Sequence, residues 1–269
     1  MPLNHVKTSF SHPRAAEVEA AGLRWLRSAE AAGGPRVVEV IDLQPPSLAL
    51  EHISTCRAAE SAAEDFGTSL AMMHRSVWPE ETDDDAGAPI LFGQMPPEHP
   101  AGVPPLFGPA EQLMEMGAGT HDSWGAFHAA ERLEPLLERL REDAASEWDV
   151  LHGAQERIAA GDFDGVEPPS LIHGDLWGGN VLWSERGAVL IDPAAHAGHR
   201  ESDLALLQLF GLPHVDQMLA AYHRTVPLPE GWRDRVPVHQ LFYLAAHWLL
   251  FGHTYREATI AAAQHTLRL

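Results

Sequence analysis

The stretch Ser170-Leu-Ile-His-Gly-Asp-Leu-Trp-Gly-Gly-Asn-Val-Leu-Trp183 constrains this chain more than any other part of it. A polar, glycine-rich loop is held between two apolar runs. Ala188-Val-Leu-Ile-Asp192 follows as a short apolar run that ends in an acid. Short apolar runs bounded by turn residues read as buried strands. The loop is therefore expected on a rigid support, with Asp192 projecting from the end of a neighbouring strand.

The spacing has chemical content. Asp175 stands five residues before Asn180, and Asp192 lies twelve residues beyond that asparagine. Phosphoryl transfer needs little covalent help; it needs an oriented hydroxyl relieved of its proton, and metal ions bridging the phosphates. Asp175 can accept the proton, Asn180 offers a neutral oxygen, and Asp192 supplies the anionic oxygen that hard Mg²⁺ prefers. A lone Asp-x-x-x-x-Asn is usually a turn or a cap. Here it sits inside His-Gly-Asp with a strand-terminal acid at the distance found in kinases, which favours the chemical reading.

Upstream, Leu3 to Lys7 is expected as a strand and Ala15 to Ser28 as an amphipathic helix, ended by Gly33-Gly34-Pro35. Val37 to Leu43 and Ser47 to Ile53 read as two strands joined at Pro45-Pro46, and Ala58 to His74 as a long helix. Val77 to Gly119 is rich in proline and glycine, carries the acidic run Glu80 to Asp85, and reads as a lid or a solvated connector. Helices are expected at Trp124 to Arg141, Ala144 to Ala160 and through most of the chain after Glu201. Strands first and helices later give an α+β class: a small β-rich lobe, residues 1–55, and a helical lobe, residues 56–269.

Composition excludes several alternatives. With 18 basic against 38 acidic residues among 269, the formal charge is −20, which opposes non-specific nucleic-acid binding. The longest apolar stretch, Leu241 to Phe251, is interrupted by His247 and too short to span a membrane. A single cysteine, Cys56, excludes an internal disulfide, and there is no Cys-x-x-Cys pair. The 17 histidines are scattered and form no His-Glu-x-x-His helix, so a His-rich metalloprotein is the weaker reading. Met1 to Phe10 lacks the apolar core of a signal peptide, and the expected location is cytoplasmic.

His173 to Trp183, Asp192-Pro-Ala-Ala-His-Ala-Gly-His-Arg-Glu-Ser-Asp-Leu-Ala205 and Leu209-Phe-Gly211 closely resemble the fructosamine kinase (ketosamine kinase) family, within the aminoglycoside phosphotransferase, protein-kinase-like fold. Trp124-x-x-Phe127, Arg132-Leu133 and the closing helices extend the resemblance. The resemblance implies a two-lobe kinase that uses ATP and Mg²⁺ on the 3-hydroxyl of a small or protein-bound ketosamine, so that amines or proteins are deglycated. Asp175 is then the catalytic base, Asn180 and Asp192 the magnesium ligands, and Trp177 a flank of the sugar-amine. Arg200, Glu201 and Asp203 form a scaffold. Lys7 resembles the family lysine that touches the α and β phosphates. Glu19 or Glu17 is its helix partner, and Glu51-His52-Ile53 resembles the hinge whose backbone meets adenine.

The sequence also departs from the family. Lys7 stands almost at the first residue, so the glycine-rich pair of strands that precedes the family lysine is missing, and the β-rich lobe is expected to be shortened at its N-terminus. A start placed downstream of the true one and a degenerate lobe both explain this. In the second case the chain is a non-catalytic pseudokinase. Val77 to Gly119 departs as well: only Ile90-Leu-Phe-Gly93 faintly echoes the family's usual stretch, which leaves room for another hydroxylated amine, such as an aminoglycoside, as the substrate.

Overall fold

The computed structural model describes residues 4–79 and 89–269; Met1 to Leu3 and the acidic run Glu80 to Asp85 lie outside the described residues. The chain begins with β1 (Asn4–Lys7), α1 (Ala15–Ser28), β2 (Arg36–Val37), β3 (Val40–Gln44) and β4 (Ser47–Glu51). The three longer strands form one antiparallel sheet in the order β1-β4-β3, with Lys7 opposite Leu48. Alternation dictates its inner face: Leu48 and Leu50 are buried while their neighbours are half-exposed. The apolar side of α1, including Ala20, Leu23 and Leu26, closes onto that face and leaves Glu19 directed at Lys7.

The single strand expected over Val37 to Leu43 is in fact two. Val37 pairs in parallel with Leu190, and the Val38 N–H donates to the Leu190 carbonyl at 3.0 Å. Val40 pairs with Leu50 instead. The chain crosses from one sheet to another between them, because Val37 and Val38 are buried against the second lobe. Likewise the strand expected to reach Ile53 ends at Glu51.

The second part contains α2 (Glu60–Arg75), β5 (Leu106–Phe107), β6 (Met114–Glu115), α3 (Trp124–Phe127), α4 (Glu134–Leu140), α5 (Trp148–Ala159), β7 (Ser170–Ile172), β8 (Val181–Ser184), β9 (Gly187–Leu190) and β10 (His196–Gly198). It closes with α6 (Arg200–Phe210), α7 (Val215–Thr225), α8 (Trp232–Phe251) and α9 (Arg256–Arg268). A π-helical turn, His128–Leu133, joins α3 to α4, so the helix expected over Trp124 to Arg141 is continuous but not regular. The helix expected from Ala144 starts only at Trp148, after a run of turns. Helices α2 and α7 cross closely: a Cβ on Gly67 would stand 2.1 Å from the Met218 carbonyl oxygen.

Two apolar cores result. One runs from α1 and the first sheet through α2 to β9 and α7; the other gathers α3, α4, α5, α8 and α9. Among the described residues no helix is long and apolar enough to cross a membrane.

Candidate active site

The loop after β7 is held from below. Asp203, fully buried on α6, accepts the backbone N–H of His173 at 2.7 Å and of Gly174 at 2.9 Å. His74 of α2 donates to the same carboxylate from Nε2 at 3.1 Å and accepts from the Tyr222 hydroxyl at 2.8 Å. Burial opposes the charged form of Asp203, but these hydrogen bonds and the nearby His173 hold its pKa below the usual carboxylate range. His173 Nε2 donates to the Ile191 carbonyl (2.8 Å) and its Nδ1 accepts the Asp175 N–H (3.3 Å), so the imidazole braces the loop against the strand that leads to Asp192.

Glycine is required at 174. Its φ is 80°, and a Cβ there would meet the Ala194 carbonyl oxygen at 2.2 Å.

Asp175 and Asn180 come together above this base. The Asn180 side-chain amide donates to the Asp175 carbonyl (2.8 Å) and carboxylate (3.3 Å), and to the Asp192 carbonyl (3.4 Å). Burial pushes the Asp175 carboxyl up to about 7; the Asn180 amide opposes the shift, and the charges of Asp192 and Asp203 add to it. Asp192 does not continue the strand as expected: β9 ends at Leu190, and Asp192 turns into the left-handed region with φ 55°. Non-glycine residues held there are uncommon and concentrate at functional sites.

Across the cleft, Lys7 Nζ donates to Glu19 Oε1 at 2.8 Å and also bonds the Asp192 carboxylate. Burial works against the Lys7 charge, but Glu19 and Asp192 outweigh it, and its pKa is raised. Glu17 is committed elsewhere, bonded twice to Arg14 at 2.7 Å. Of the two acids left open by the sequence, Glu19 is the one that meets Lys7.

These residues line a cleft of about 570 Å³ that holds Lys7, Glu19, Asp175, Asn180, Asp192 and Trp177. Trp177 is 42% exposed and packs edge-on against Phe210. Glu51 and Ile53 are not among the residues lining the cleft. Glu51 is ion-paired with Arg36, and Ile53 packs on the apolar core. Several wall residues escaped the sequence reading: Leu106 and Phe107 of β5, and His247 and Phe251 at the end of α8. Their place depends on contacts between segments far apart in sequence. Arg200 and Glu201 act as a scaffold, bonded to Glu167 and Arg235. Among the described residues, His199, Glu201 and His239 come nearest to a metal-ligating cluster, but the Glu201 carboxylate is occupied by Arg235.

The profile of the fructosamine kinase family matches residues 115–268. A crystal structure from Thermobifida fusca, carrying a provisional fructosamine-3-kinase designation, is 34% identical with a TM-score of 0.81, covering 100% of this chain and 86% of that one. The chain belongs to the fructosamine kinase family. Mouse ketosamine-3-kinase is 34% identical over 143 residues, 51% of this chain and 45% of that protein. The chain spans about half the length of the first curated relatives it matches. The gentamicin complex of APH(2")-IIa, at 13% identity and a TM-score of 0.59 over 99% of this chain and 85% of that one, shows the shared two-lobe kinase fold.

Proposed function

We propose that this fructosamine kinase family member transfers the γ-phosphate of ATP to a sugar hydroxyl of a ketosamine, such as a fructosamine or ribulosamine. The observation that carries this is the meeting on one cleft of Lys7 from β1, Asp175 and Asn180 from the loop after β7, and Asp192 from the turn after β9. Asp175 takes the proton of the acceptor hydroxyl. The new bond forms between that oxygen and the γ-phosphorus, the bond to the bridging oxygen breaks, and ADP leaves. A carboxyl near 7 suits a general base at neutral pH.

Hard oxygen donors suit Mg²⁺, and the Asn180 amide oxygen and the Asp192 carboxylate would hold it, with its charge offsetting that of the phosphates. Asn180 fits because its amide nitrogen is used within the loop, which leaves the oxygen as the free end. Lys7, oriented by Glu19, neutralises the α and β phosphates. Adenine would extend from the cleft toward the backbone of Glu51 to Ile53, which lies outside the cleft lining, and Trp177 flanks the sugar-amine. The acceptor is the 3-hydroxyl, the position in the name of the mouse relative. Residues 1–55 serve as the nucleotide-side lobe and residues 56–269 as the catalytic and substrate lobe.

The test is ADP release from Mg-ATP with ribulose-lysine, fructose-lysine and an aminoglycoside, for the wild type and for Asp175→Asn. Ketosamine-dependent turnover that the variant loses is the expected result. Turnover only with the aminoglycoside, or with none of the three, would sink the reading.

A further inference from the structure

A second cavity, of about 30 Å³, adjoins the cleft and shares Leu106, Phe107, Pro193 and Ala194 with it. Its wall contains a guanidinium, Arg132, and four imidazoles, His99, His128, His196 and His199, but no aspartate or glutamate. That is unusual in a chain with a formal charge of −20.

Arg132 is 5% exposed and forms no ion pair among the described residues. Its hydrogen bonds are from Nη1 to the carbonyls of Gly117 (2.9 Å) and Glu131 (3.0 Å). The adjacent Glu131 carboxylate turns away to His121 and the Gly119 N–H. Nε and Nη2 have no partner among the described residues, and the guanidinium rests 4.6 Å from the centre of the Phe127 ring. An uncompensated buried cation is costly, and burial pushes this one down to about 10 without neutralising it. His128 lies on the same π-helical turn, with Nε2 buried and unpartnered. His199 accepts the Glu201 N–H on Nδ1, which leaves its Nε2–H as a donor. Burial keeps His128, His196 and His199 neutral, so Arg132 is the single fixed charge on the wall.

We propose that this cavity binds one small monovalent anion of halide size, held by the Arg132 guanidinium with N–H support from His128 and His199. The volume admits roughly two water-sized occupants, which suits a halide better than a phosphate or a sugar acid. His99 donates from Nε2 to the Val103 carbonyl at 2.8 Å, and its Nδ1 has no partner among the described residues. The site braces the segment that follows Asp192. His196 on its wall donates to the Ala194 carbonyl at 2.8 Å, and Tyr243 donates to the Gly174 carbonyl at 3.2 Å.

The test uses the full chain and two readings. Thermal unfolding is followed at constant ionic strength while sodium gluconate, too large to enter, is exchanged for sodium chloride or bromide. The expected result is a saturable rise in Tm of about 3 °C or more in halide, absent from Arg132→Gln. Crystals grown in sodium bromide are expected to show an anomalous peak beside the Arg132 guanidinium. Equal Tm in gluconate and halide, a halide effect that survives in Arg132→Gln, or a cavity without a bromide peak would each overturn the proposal. If Arg132→Gln does not fold, the wild-type halide titration and the bromide map decide it together.

Discussion

The Nζ of Lys7 bonds the carboxylate of Asp192, a residue 185 positions later in the chain. This ion pair bridges the first strand and the turn after β9, and Glu19 fixes its orientation from α1 at 2.8 Å. Replacing Lys7 by Met leaves Glu19 buried without a counter-ion and removes a cation from the phosphate side of the cleft. The expected outcome is a rise of about 10- to 100-fold in KM for ATP, the worth of a charge-assisted hydrogen bond. Glu17→Ala serves as the control, since among the described residues Glu17 pairs only with Arg14, and steady-state kinetics should find it near wild type.

Asp175→Asn removes the proposed proton acceptor while keeping the shape of the side chain. Turnover is expected to fall by about 10²- to 10⁴-fold, with nucleotide affinity changed by only a few-fold. Single-turnover phosphorylation together with a nucleotide-binding titration separates the two effects.

The raised pKa of Asp175 sets the direction of two pH dependences. Its carboxyl must be ionised to accept a proton, so kcat/KM should decline as pH falls through about 7. Stability runs the other way. Between the unfolded value of 3.8 and the folded value of about 7, the native state binds the extra proton, so this group's contribution weakens as pH rises through that window. Asp175→Asn should therefore be at least as heat-stable as the wild type at pH 8, and the difference should vanish near pH 4. Tm measured across that range checks the sign.

Asp203→Ala should damage the fold itself. It strands the N–H groups of His173 and Gly174 and the Nε2–H of His74 in a buried site. The expected loss is about 3–5 kcal/mol, read from urea denaturation.

Trp177→Ala should do the reverse, sparing stability and weakening the acceptor. The indole is 42% exposed, lies over Gly179 and packs edge-on against Phe210, so Tm should stay within a few degrees. The KM for the ketosamine should rise about ten-fold or more, while that for ATP is unchanged.

The sequence by itself determined the elements whose signals are local. Ala15 to Ser28 is a helix with the predicted bounds, because its apolar side repeats at helical spacing; one tighter turn, Ala29–Ala32, follows before Gly33 ends it. That Asp175, Asn180 and Asp192 come together was legible for the same reason: they lie within one short stretch whose apolar flanks leave few ways to fold it. The Glu19 partnership was partly within reach, since Arg14 three residues before Glu17 is a signal that the nearer acid is already taken. Tertiary structure alone decided the rest. No local pattern says that the chain breaks at Val38 to tie β2 onto β9, or that Asp192 leaves the strand in a left-handed turn. None says that His74 and Tyr243, from distant helices, brace the His-Gly-Asp backbone. Those outcomes satisfy buried polar groups that must find partners somewhere. Which partners they find depends on how the two cores pack, and a window of sequence does not contain that information.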